Sequence, residues 1–243
     1  MEPRSERFGH PGPAGVTLHA LHWGHPGRPV VVLLHGGGAN GHWWDHIAPD
    51  LARDHHVIAL DFRGHGDSDY PDELEVGAFN TDLEALCDHL DHRDLILVGH
   101  SMGAQVALDH ASRFEETRKL VLIDPARGSD KRSSRKARLA LSLARQYASR
   151  EEAIEHFQFV PAAEGVPDPL RRHIASHSVR CGPDGTWRYK FDGRWFGVPP
   201  RARPDLSKVR CPCLVVRGAE SLLLSAPAAH LLCEEIPPAR LLE

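Results

Sequence analysis

Residues 95–106 read LILVGHSMGAQV, and this stretch decides how the rest of the chain is interpreted. An apolar run, Leu95–Val98, leads into Gly99-His100-Ser101-Met102-Gly103, a G-x-S-x-G pattern that is followed by residues favouring a helix. A sharp turn between a strand and a helix leaves the central serine oxygen exposed above the sheet, and the small residues make room for that turn. The stretch therefore predicts that Ser101 is a nucleophile rather than an ordinary turn residue.

Short apolar runs elsewhere in the chain predict the sheet to which this turn belongs. Each has four or five consecutive apolar residues, which is typical of strands buried on both faces of a parallel sheet, and the runs are 30–34, 57–60, 120–123 and 213–216. The weaker alternation over 16–23 predicts a further strand at a sheet edge. A helix is predicted over Asn80–Leu90 from its apolar stripe, with Asn80 or Thr81 as its cap. Strands that alternate with helices predict an α/β fold with a mostly parallel central sheet flanked by helices.

The interval between Asp124 and Leu206 lacks such strands and is too long for a simple connection. We expect residues 126–205 to form a largely helical cap over the carboxyl edge of the sheet, where open α/β sheets bind ligands. Residues 1–125 and 206–243 would then form the core. The aromatic residues of the cap would either line an acyl pocket or form the cap's own core; they are Trp187, Tyr189, Phe191, Trp195 and Phe196.

A second functional element, His35-Gly36-Gly37-Gly38, directly follows the apolar run 30–34. Acyl transfer builds negative charge on the former carbonyl oxygen, and backbone N–H groups directed at that oxygen stabilise it. Glycines let the backbone approach a substrate closely. Because this loop and the Ser101 turn both follow strands at one edge of the sheet, we expect the N–H groups of Gly37 and Met102 to form an oxyanion hole.

These two motifs resemble, in content and order, motifs of the α/β-hydrolase-fold superfamily. So does the segment between them, Asp61-Phe62-Arg63-Gly64-His65-Gly66-Asp67-Ser68. The resemblance covers most of residues 16–243. It implies a serine hydrolase that acts on a small carboxylic ester, thioester, lactone or amide through an acyl-enzyme on Ser101, without a cofactor. Epoxide hydrolases and haloalkane dehalogenases share the fold but have aspartate as the nucleophile, so Ser101 argues against both.

The resemblance also implies an acid and a histidine that follow the serine in the chain. Glu220 is the only carboxylate in the turn after 213–216 and is our candidate acid; Asp124 is the alternative, because some members place the acid after the preceding strand. The family's histidine follows the last strand, whereas Arg240-Leu241-Leu242-Glu243 resembles only the opening of that strand. The only histidine after Glu220 is His230, which lies in a segment that is predicted to form a surface helix. We therefore expect the C-terminal strand and helix, and the catalytic base, to be missing.

The missing base leaves a second interpretation open. The chain would then be a truncated or catalytically impaired α/β-hydrolase-fold protein that binds a small ligand under its cap. Loss of the final strand would expose an apolar sheet edge, through which homo-oligomers could form.

Composition narrows the range of partners. The 243 residues carry a formal net charge of −4, which gives no reason to expect nucleic acid or an anionic membrane. No apolar run approaches the roughly 20 residues that span a bilayer, no signal peptide is recognised, and five cysteines without regular spacing favour free thiols and the cytoplasm. Two histidine pairs, His89 with His92 and His173 with His177, have helical spacing but no acidic partner, so we expect no metal site.

Overall fold

The computed structural model describes residues 1–9, 15–91, 94–127, 139–143, 145–199 and 201–243. Ten strands are found there, and their bounds are β1 (Arg4–Gly9), β2 (Thr17–Trp23), β3 (Val30–Leu34), β4 (His56–Asp61), β5 (Leu95–His100), β6 (Thr117–Ile123), β7 (Val179–Cys181), β8 (Trp187–Tyr189), β9 (Cys213–Val216) and β10 (Ala239–Leu242). Eight of them form one sheet in the order β1-β2-β4-β3-β5-β6-β9-β10. Within this sheet only the pairs β1–β2 and β2–β4 are antiparallel, so the predicted mostly parallel sheet is confirmed.

The helices α1 (Ala48–Leu51), α2 (Ala78–Leu90), α3 (Met102–Arg113) and α6 (Ala226–Glu235) flank this sheet. Two further helices, α4 (Arg150–Glu155) and α5 (Asp168–His177), lie in the segment between β6 and β9, where residues 139–142 are also helical. Three 3-10 helices span Gly41–Trp44, Gly193–Gly197 and Leu206–Lys208. The residues of strand β3 are all apolar because both faces of the strand are covered. Val30, Val32 and Leu34 join one apolar cluster, whereas Val31 and Leu33 join another on the opposite face. A strand covered on both faces needs apolar side chains on both.

The strand predicted over 16–23 exists as β2, but its predicted position at the sheet edge is wrong. Strand β1 pairs along its outer side. The sequence RSERFG of β1 gave no apolar pattern because only Phe8 of its six residues is buried. An edge strand needs few apolar side chains, so polarity alone does not distinguish it from a loop.

The predicted caps of α2 are also wrong. The helix begins at Ala78, after Gly77 with a φ of +82°, and no side chain caps it. Asn80 lies in the first turn, where its side-chain amide donates to Asp109 Oδ2 at 2.9 Å. The asparagine side chain is thus used for a contact between α2 and α3 rather than for capping.

Residues 240–243 were predicted to open the last strand, and Ala239–Leu242 do form β10, so the expectation that this strand is missing is wrong. This strand pairs parallel with β9, with Ala239 opposite Cys213 and Leu242 opposite Val216. Backbone hydrogen bonds hold it in place, and Ile236, which ends α6 just before this strand, is fully buried. Homo-oligomer formation through this edge stays a prediction that light scattering can test.

The segment between β6 and the 3-10 helix Leu206–Lys208 has an apolar cluster of its own. It joins α4, α5 and the β7–β8 hairpin through Tyr147, Ala153, Ile154, Phe157, Ile174, Ala175 and Val179. The segment is held on the core by backbone hydrogen bonds from Gly66 N–H to Lys190 O and from Asp192 N–H to Gly64 O, each 2.8 Å long. The cap boundaries at 126 and 205 stay predictions, and residues 128–138 of that segment lie outside the described residues.

No helix in the described ranges combines the length and apolarity that crossing a bilayer requires. All five cysteines are free thiols. Of the two histidine pairs noted in the sequence, the one containing His92 lies partly outside the described residues.

Candidate active site

Ser101 occupies the sharp turn between β5 and α3. Its backbone has a φ of +50° and a ψ of −110°, a conformation that residues with a side chain rarely adopt. The turn is fixed by a hydrogen bond from Ser101 N–H to Ile123 O, 2.9 Å long, which joins it to the end of β6. Strain of this kind persists only where the surrounding structure enforces it, and it is concentrated at functional sites.

The two glycines of the motif are required by close backbone approach. A Cβ on Gly99 would lie 2.4 Å from the carbonyl O of Gly103, and a Cβ on Gly103 would lie 2.3 Å from the carbonyl O of Leu34. Gly103 N–H in turn donates to His35 O at 3.1 Å. The G-x-S-x-G spacing is therefore a packing requirement that presses α3 against the end of β3.

The glycine loop after β3 lies against the serine turn. A Cβ on Gly36 would be 3.3 Å from Ser101 Cβ, and one on Gly37 would be 3.9 Å from Met102 Sδ. Within the described part of the chain, neither Gly37 N–H nor Met102 N–H donates to a protein acceptor. The structure thus brings the sequence-predicted nucleophile and the two predicted oxyanion donors to one place, with both amides available to a ligand.

His35 holds this loop in position. Its ring is buried, Nδ1 contacts Gly36 O at 2.8 Å, and Nε2 accepts from Phe62 N–H at 3.2 Å. These contacts assign the tautomer with the proton on Nδ1. Burial lowers the pKa of His35, which favours the neutral ring that this arrangement needs. His35 therefore joins the ends of β3 and β4 and is not placed as a base.

The motif that begins at Asp61 positions loops around the site. The buried Asp61 carboxylate accepts from Gly41 N–H at 2.6 Å and from Asp67 N–H at 2.9 Å, and it contacts His19 Nδ1 at 2.7 Å. Burial acts to raise the pKa of Asp61, but interactions with His19 lower it overall, so the carboxylate is ionised at neutral pH. Sequence reasoning missed this role, although a carboxylate directly after the apolar run 57–60 was a signal for it.

Asp124 lies beside the serine turn. It follows Ile123, which is paired with His100 in the register of β5 and β6, so Asp124 and Ser101 both come directly after paired residues. Its Oδ2 accepts from Ser221 Oγ at 2.7 Å. Its Oδ1 is buried and has no hydrogen-bond partner among the described residues.

Glu220 has different surroundings. It lies exposed in the turn after β9, next to Ser221, and its carboxylate makes no hydrogen bond or ion pair with the part of the chain that the structure describes. The side chain of this turn that contacts Asp124 is thus Ser221. No sequence pattern singled out this serine.

No imidazole in the described ranges hydrogen-bonds to Ser101 Oγ or to the Asp124 carboxylate. His100 is the neighbouring ring, and burial lowers its pKa while Asp124 acts in the opposite direction. His230 lies exposed on α6. The predicted nucleophile, two amides without a protein acceptor and a carboxylate are assembled without a positioned base among the described residues.

The 3-10 helix Gly193–Gly197 covers the glycine loop. A Cβ on Gly37 would lie 2.9 Å from Phe196 Cε1, and a Cβ on Gly64 would lie 2.2 Å from Trp195 Nε1. Trp187 and Tyr189, by contrast, pack against the apolar cluster of the cap segment. Trp187 and Tyr189 therefore belong to the cap's own core, whereas an acyl pocket lined by the other aromatic residues stays a prediction.

Comparison with known proteins identifies the family. Residues 29–195 match the model of the alpha/beta hydrolase fold. Epoxide hydrolase A of Mycobacterium tuberculosis is 38% identical over 107 residues, which are 41% of this chain and 33% of that protein, so the chain spans about a third of that relative. Esterase Rv0045c of the same organism is 27% identical over 218 residues, which are 84% of this chain and 70% of the esterase.

A solved structure shows the same architecture over nearly the whole chain. The crystal structure of E-2-(acetamidomethylene)succinate hydrolase superposes with a TM-score of 0.83 at 22% identity and covers 99% of this chain and 90% of that one. At this identity the likeness bears on the fold. Together with the family match over residues 29–195, it shows that the chain belongs to the alpha/beta hydrolase fold family.

Proposed function

We propose that the chain is a serine hydrolase that acts on a small carboxylic ester, thioester, lactone or amide through an acyl-enzyme on Ser101. The observation that carries this proposal is the strained backbone of Ser101, with its φ of +50°, beside two amides that have no protein acceptor among the described residues. Strain of about 1–3 kcal/mol is typical of residues held ready for reaction. The similarity to a protein named esterase over 84% of the chain agrees with it.

In the proposed reaction, Ser101 Oγ attacks the carbonyl carbon of the substrate and gives its proton to a base. The carbonyl π pair moves onto oxygen, where the N–H groups of Gly37 and Met102 stabilise the negative charge. Collapse of this intermediate breaks the bond to the alcohol, thiol or amine, which leaves with a proton, and an ester remains on Ser101. Water then attacks that ester in the same way and releases the carboxylic acid.

The nucleophile argues for acyl transfer rather than epoxide opening. A carboxylate that opens an epoxide forms an ester, which water can hydrolyse to regenerate the enzyme. A serine oxygen that opened an epoxide would form an ether, which water does not cleave under these conditions. The similarity to epoxide hydrolase A, over 41% of the chain, therefore supports the fold and a hydrolase more than it supports that substrate.

For the acid we propose Asp124 rather than Glu220. Asp124 Oδ1 is buried without a partner in the described ranges, and Ser221 Oγ fixes the other oxygen. A buried carboxylate with one unused oxygen can accept the N–H of an imidazole and so orient a base. Glu220 is exposed and would have to be drawn into the site to do the same.

Covalent labelling tests the proposal most directly. The chain is incubated with a fluorophosphonate, and the intact mass is measured beside Ser101→Ala and the matched exposed control Ser207→Ala. We expect one phosphonyl adduct on the wild type and on Ser207→Ala, and none on Ser101→Ala. Hydrolysis of p-nitrophenyl acetate by the same three proteins provides the turnover readout. Equal labelling of Ser101→Ala would refute the assignment of the nucleophile.

A second candidate is a catalytically impaired protein that binds a small ligand under its cap. The observation that favours it is the lack of an imidazole on Ser101 Oγ among the described residues. Removal of the base from a Ser-His-Asp enzyme costs about 10⁶ in kcat and leaves roughly 10³–10⁴ over water. This candidate gains support if a folded wild type hydrolyses the ester no faster than Ser101→Ala and yet binds it.

Where the wild type turns over, the acid can be assigned by two matched substitutions. We expect Asp124→Asn to lower kcat by about 10⁴-fold, because an amide cannot hold the base in the correct tautomer. Glu220→Gln should leave kcat within about twofold, since an exposed side chain that forms no hydrogen bond or ion pair with the described residues contributes little. The reverse result, measured as steady-state kcat with p-nitrophenyl acetate, would assign the role to Glu220.

A further inference from the structure

Three histidines and one aspartate meet where the cap segment contacts the core, in a cluster that the proposed reaction does not use. Asp45 Oδ2 contacts His42 Nδ1 at 2.9 Å and His173 Nε2 at 2.7 Å. The rings of His42 and His177 stack with centroids 3.9 Å apart. One ligand atom each from His42, Asp45 and His177 lies within 4.8 Å of the other two.

We propose that His42, Asp45, His173 and His177 form a Zn²⁺ site that fastens helix α5 to the core. Zn²⁺ in structural sites is bound by four ligands in a tetrahedron, and imidazole nitrogens and carboxylate oxygens are among its ordinary ligands. Bond lengths of about 2.0–2.1 Å place tetrahedral ligand atoms about 3.3 Å apart. The two hydrogen-bonded contacts are a few tenths of an ångström shorter, so a small rotation of side chains lets the metal replace the shared protons.

The state of these groups suits a cation. Asp45 Oδ1 is buried and has no hydrogen-bond partner among the described residues, although Oδ2 has two. A buried carboxylate oxygen without a partner, beside three imidazole rings, offers the kinds of ligand atom that Zn²⁺ binds.

The cluster also has a route from solvent. The side chain of His173 is 43% exposed, whereas those of His42 and Asp45 are 14% exposed. A cation can therefore enter past His173 and be held by the less exposed groups. Spacing of four residues places His173 and His177 on one face of α5, so both can reach one ion.

A second cluster, formed by His19, Asp61 and Asp67, lacks these properties. Asp61 already accepts two backbone N–H groups and contacts His19, so both its oxygens are used. Gly66 also packs closely against this carboxylate, since a Cβ there would lie 2.1 Å from Asp61 Oδ2. The comparison supports the assignment of the metal to the cluster at α5.

The position of the site suggests what the metal does. His42 lies four residues after Gly38, the end of the glycine loop, and α5 belongs to the segment that packs its own apolar cluster. Asn40 already joins the same two parts, since its Nδ2 donates to Ser178 Oγ at 3.1 Å. Bound Zn²⁺ would strengthen the contacts between these two parts, so it should stabilise the folded chain without taking part in bond breaking.

The test begins with the full chain freed of metal by a chelator and exchanged into metal-free buffer. Zn²⁺ is titrated by calorimetry, and thermal unfolding is followed with and without Zn²⁺. We expect one Zn²⁺ per chain and a rise in Tm of about 5–10 °C at a hundredfold excess over Kd. Co²⁺ in the same site should give the intense visible absorption of tetrahedral coordination.

The chain has 18 histidines, and matched variants separate the three of this site from the rest. Asp45→Asn and the double variant His173→Ala/His177→Ala should weaken Zn²⁺ binding by more than about 100-fold and abolish the Tm shift. His156→Ala/His230→Ala removes two exposed histidines elsewhere and should change neither. Circular dichroism of the metal-free variants checks that they are folded. If the double variant does not fold, the single variant His173→Ala replaces it, because His173 is exposed and its loss should not disturb the fold. No tight binding to the wild type, or equal binding to all variants, would overturn the proposal.

Discussion

Gly103 shows how a single missing side chain controls the site. A Cβ there would lie 2.3 Å from Leu34 O and 2.7 Å from His35 O, both backbone atoms that cannot turn aside. We predict that Gly103→Ala lowers the free energy of unfolding by about 2–4 kcal/mol, because α3 or the end of β3 must move. The same movement displaces the glycine loop from Ser101, so fluorophosphonate labelling should slow.

Gly197 provides the matched control for this substitution. A Cβ there meets nothing within 4 Å, so Gly197→Ala should stay within about 0.5 kcal/mol of the wild type. Urea unfolding of the three proteins measures the difference. A Gly103→Ala variant as stable as the wild type would show that the backbone relaxes at no cost. Close packing would then not be the reason for glycine at this position.

The residues of the candidate site differ in how far sequence could predict them. Ser101 and Met102 are neighbours within one turn, and Gly37 follows a recognisable strand, so local pattern was enough to select them. Asp45 and His173 are separated by 128 positions, and only the packing of α5 on the core brings them together. The sequence showed a histidine pair without an acid because the acid belongs to another element.

Helix α3 contains a histidine that makes stability depend on pH. Both ring nitrogens of His110 are buried without a hydrogen-bond partner among the described residues, and burial lowers its pKa to about 4. An unfolded histidine has a pKa of about 6.5, so between pH 6.5 and 4 the unfolded chain binds more protons. Stability contributed by His110 is therefore present at neutral pH and is lost as the pH falls through this window.

We predict that His110→Leu reduces the loss of unfolding free energy between pH 7 and pH 5 by about 1–2 kcal/mol, because leucine cannot take up the proton. Urea unfolding at the two pH values measures this. His230→Leu on α6 is the control, since that ring is exposed and should leave the pH dependence unchanged. Identical pH dependence in wild type and His110→Leu would mean that the ring is protonated as readily in the folded state as in the unfolded one.

Elements were predictable where burial forces an apolar pattern, and not elsewhere. Strands β3 and β5 lie inside the sheet, and their apolar runs gave their positions directly. Strand β1 has one buried side chain among six, and β10 has four residues with alternating exposure, so backbone pairing rather than composition determines both. Helix α2 begins two residues before its predicted cap because Gly77 turns the chain without a capping side chain.

At the scale of the whole molecule, the cap segment is held over the glycine loop by contacts with the loop after β4. Lys190 forms an ion pair with Asp67 at 2.8 Å, and the backbone of Gly64 accepts from Asp192 N–H. This seating brings Phe196 onto Gly37. If Gly37 binds the carbonyl oxygen as proposed, the ring of Phe196 lies where the acyl chain of a substrate would pass. The ring would then limit the length of that chain.

We predict that Phe196→Ala raises kcat/KM for p-nitrophenyl octanoate relative to the acetate by at least about tenfold, because removal of the ring opens space for additional methylenes, each worth about 1–3 kcal/mol in a fitted pocket. Phe159→Ala is the matched control, since Phe159 packs against Trp43 and the cap's apolar cluster. It removes an equal ring and should leave the ratio unchanged. If both variants shift the ratio alike, chain length is limited by how firmly the whole cap is seated; if neither does, the acyl chain leaves the site by another path.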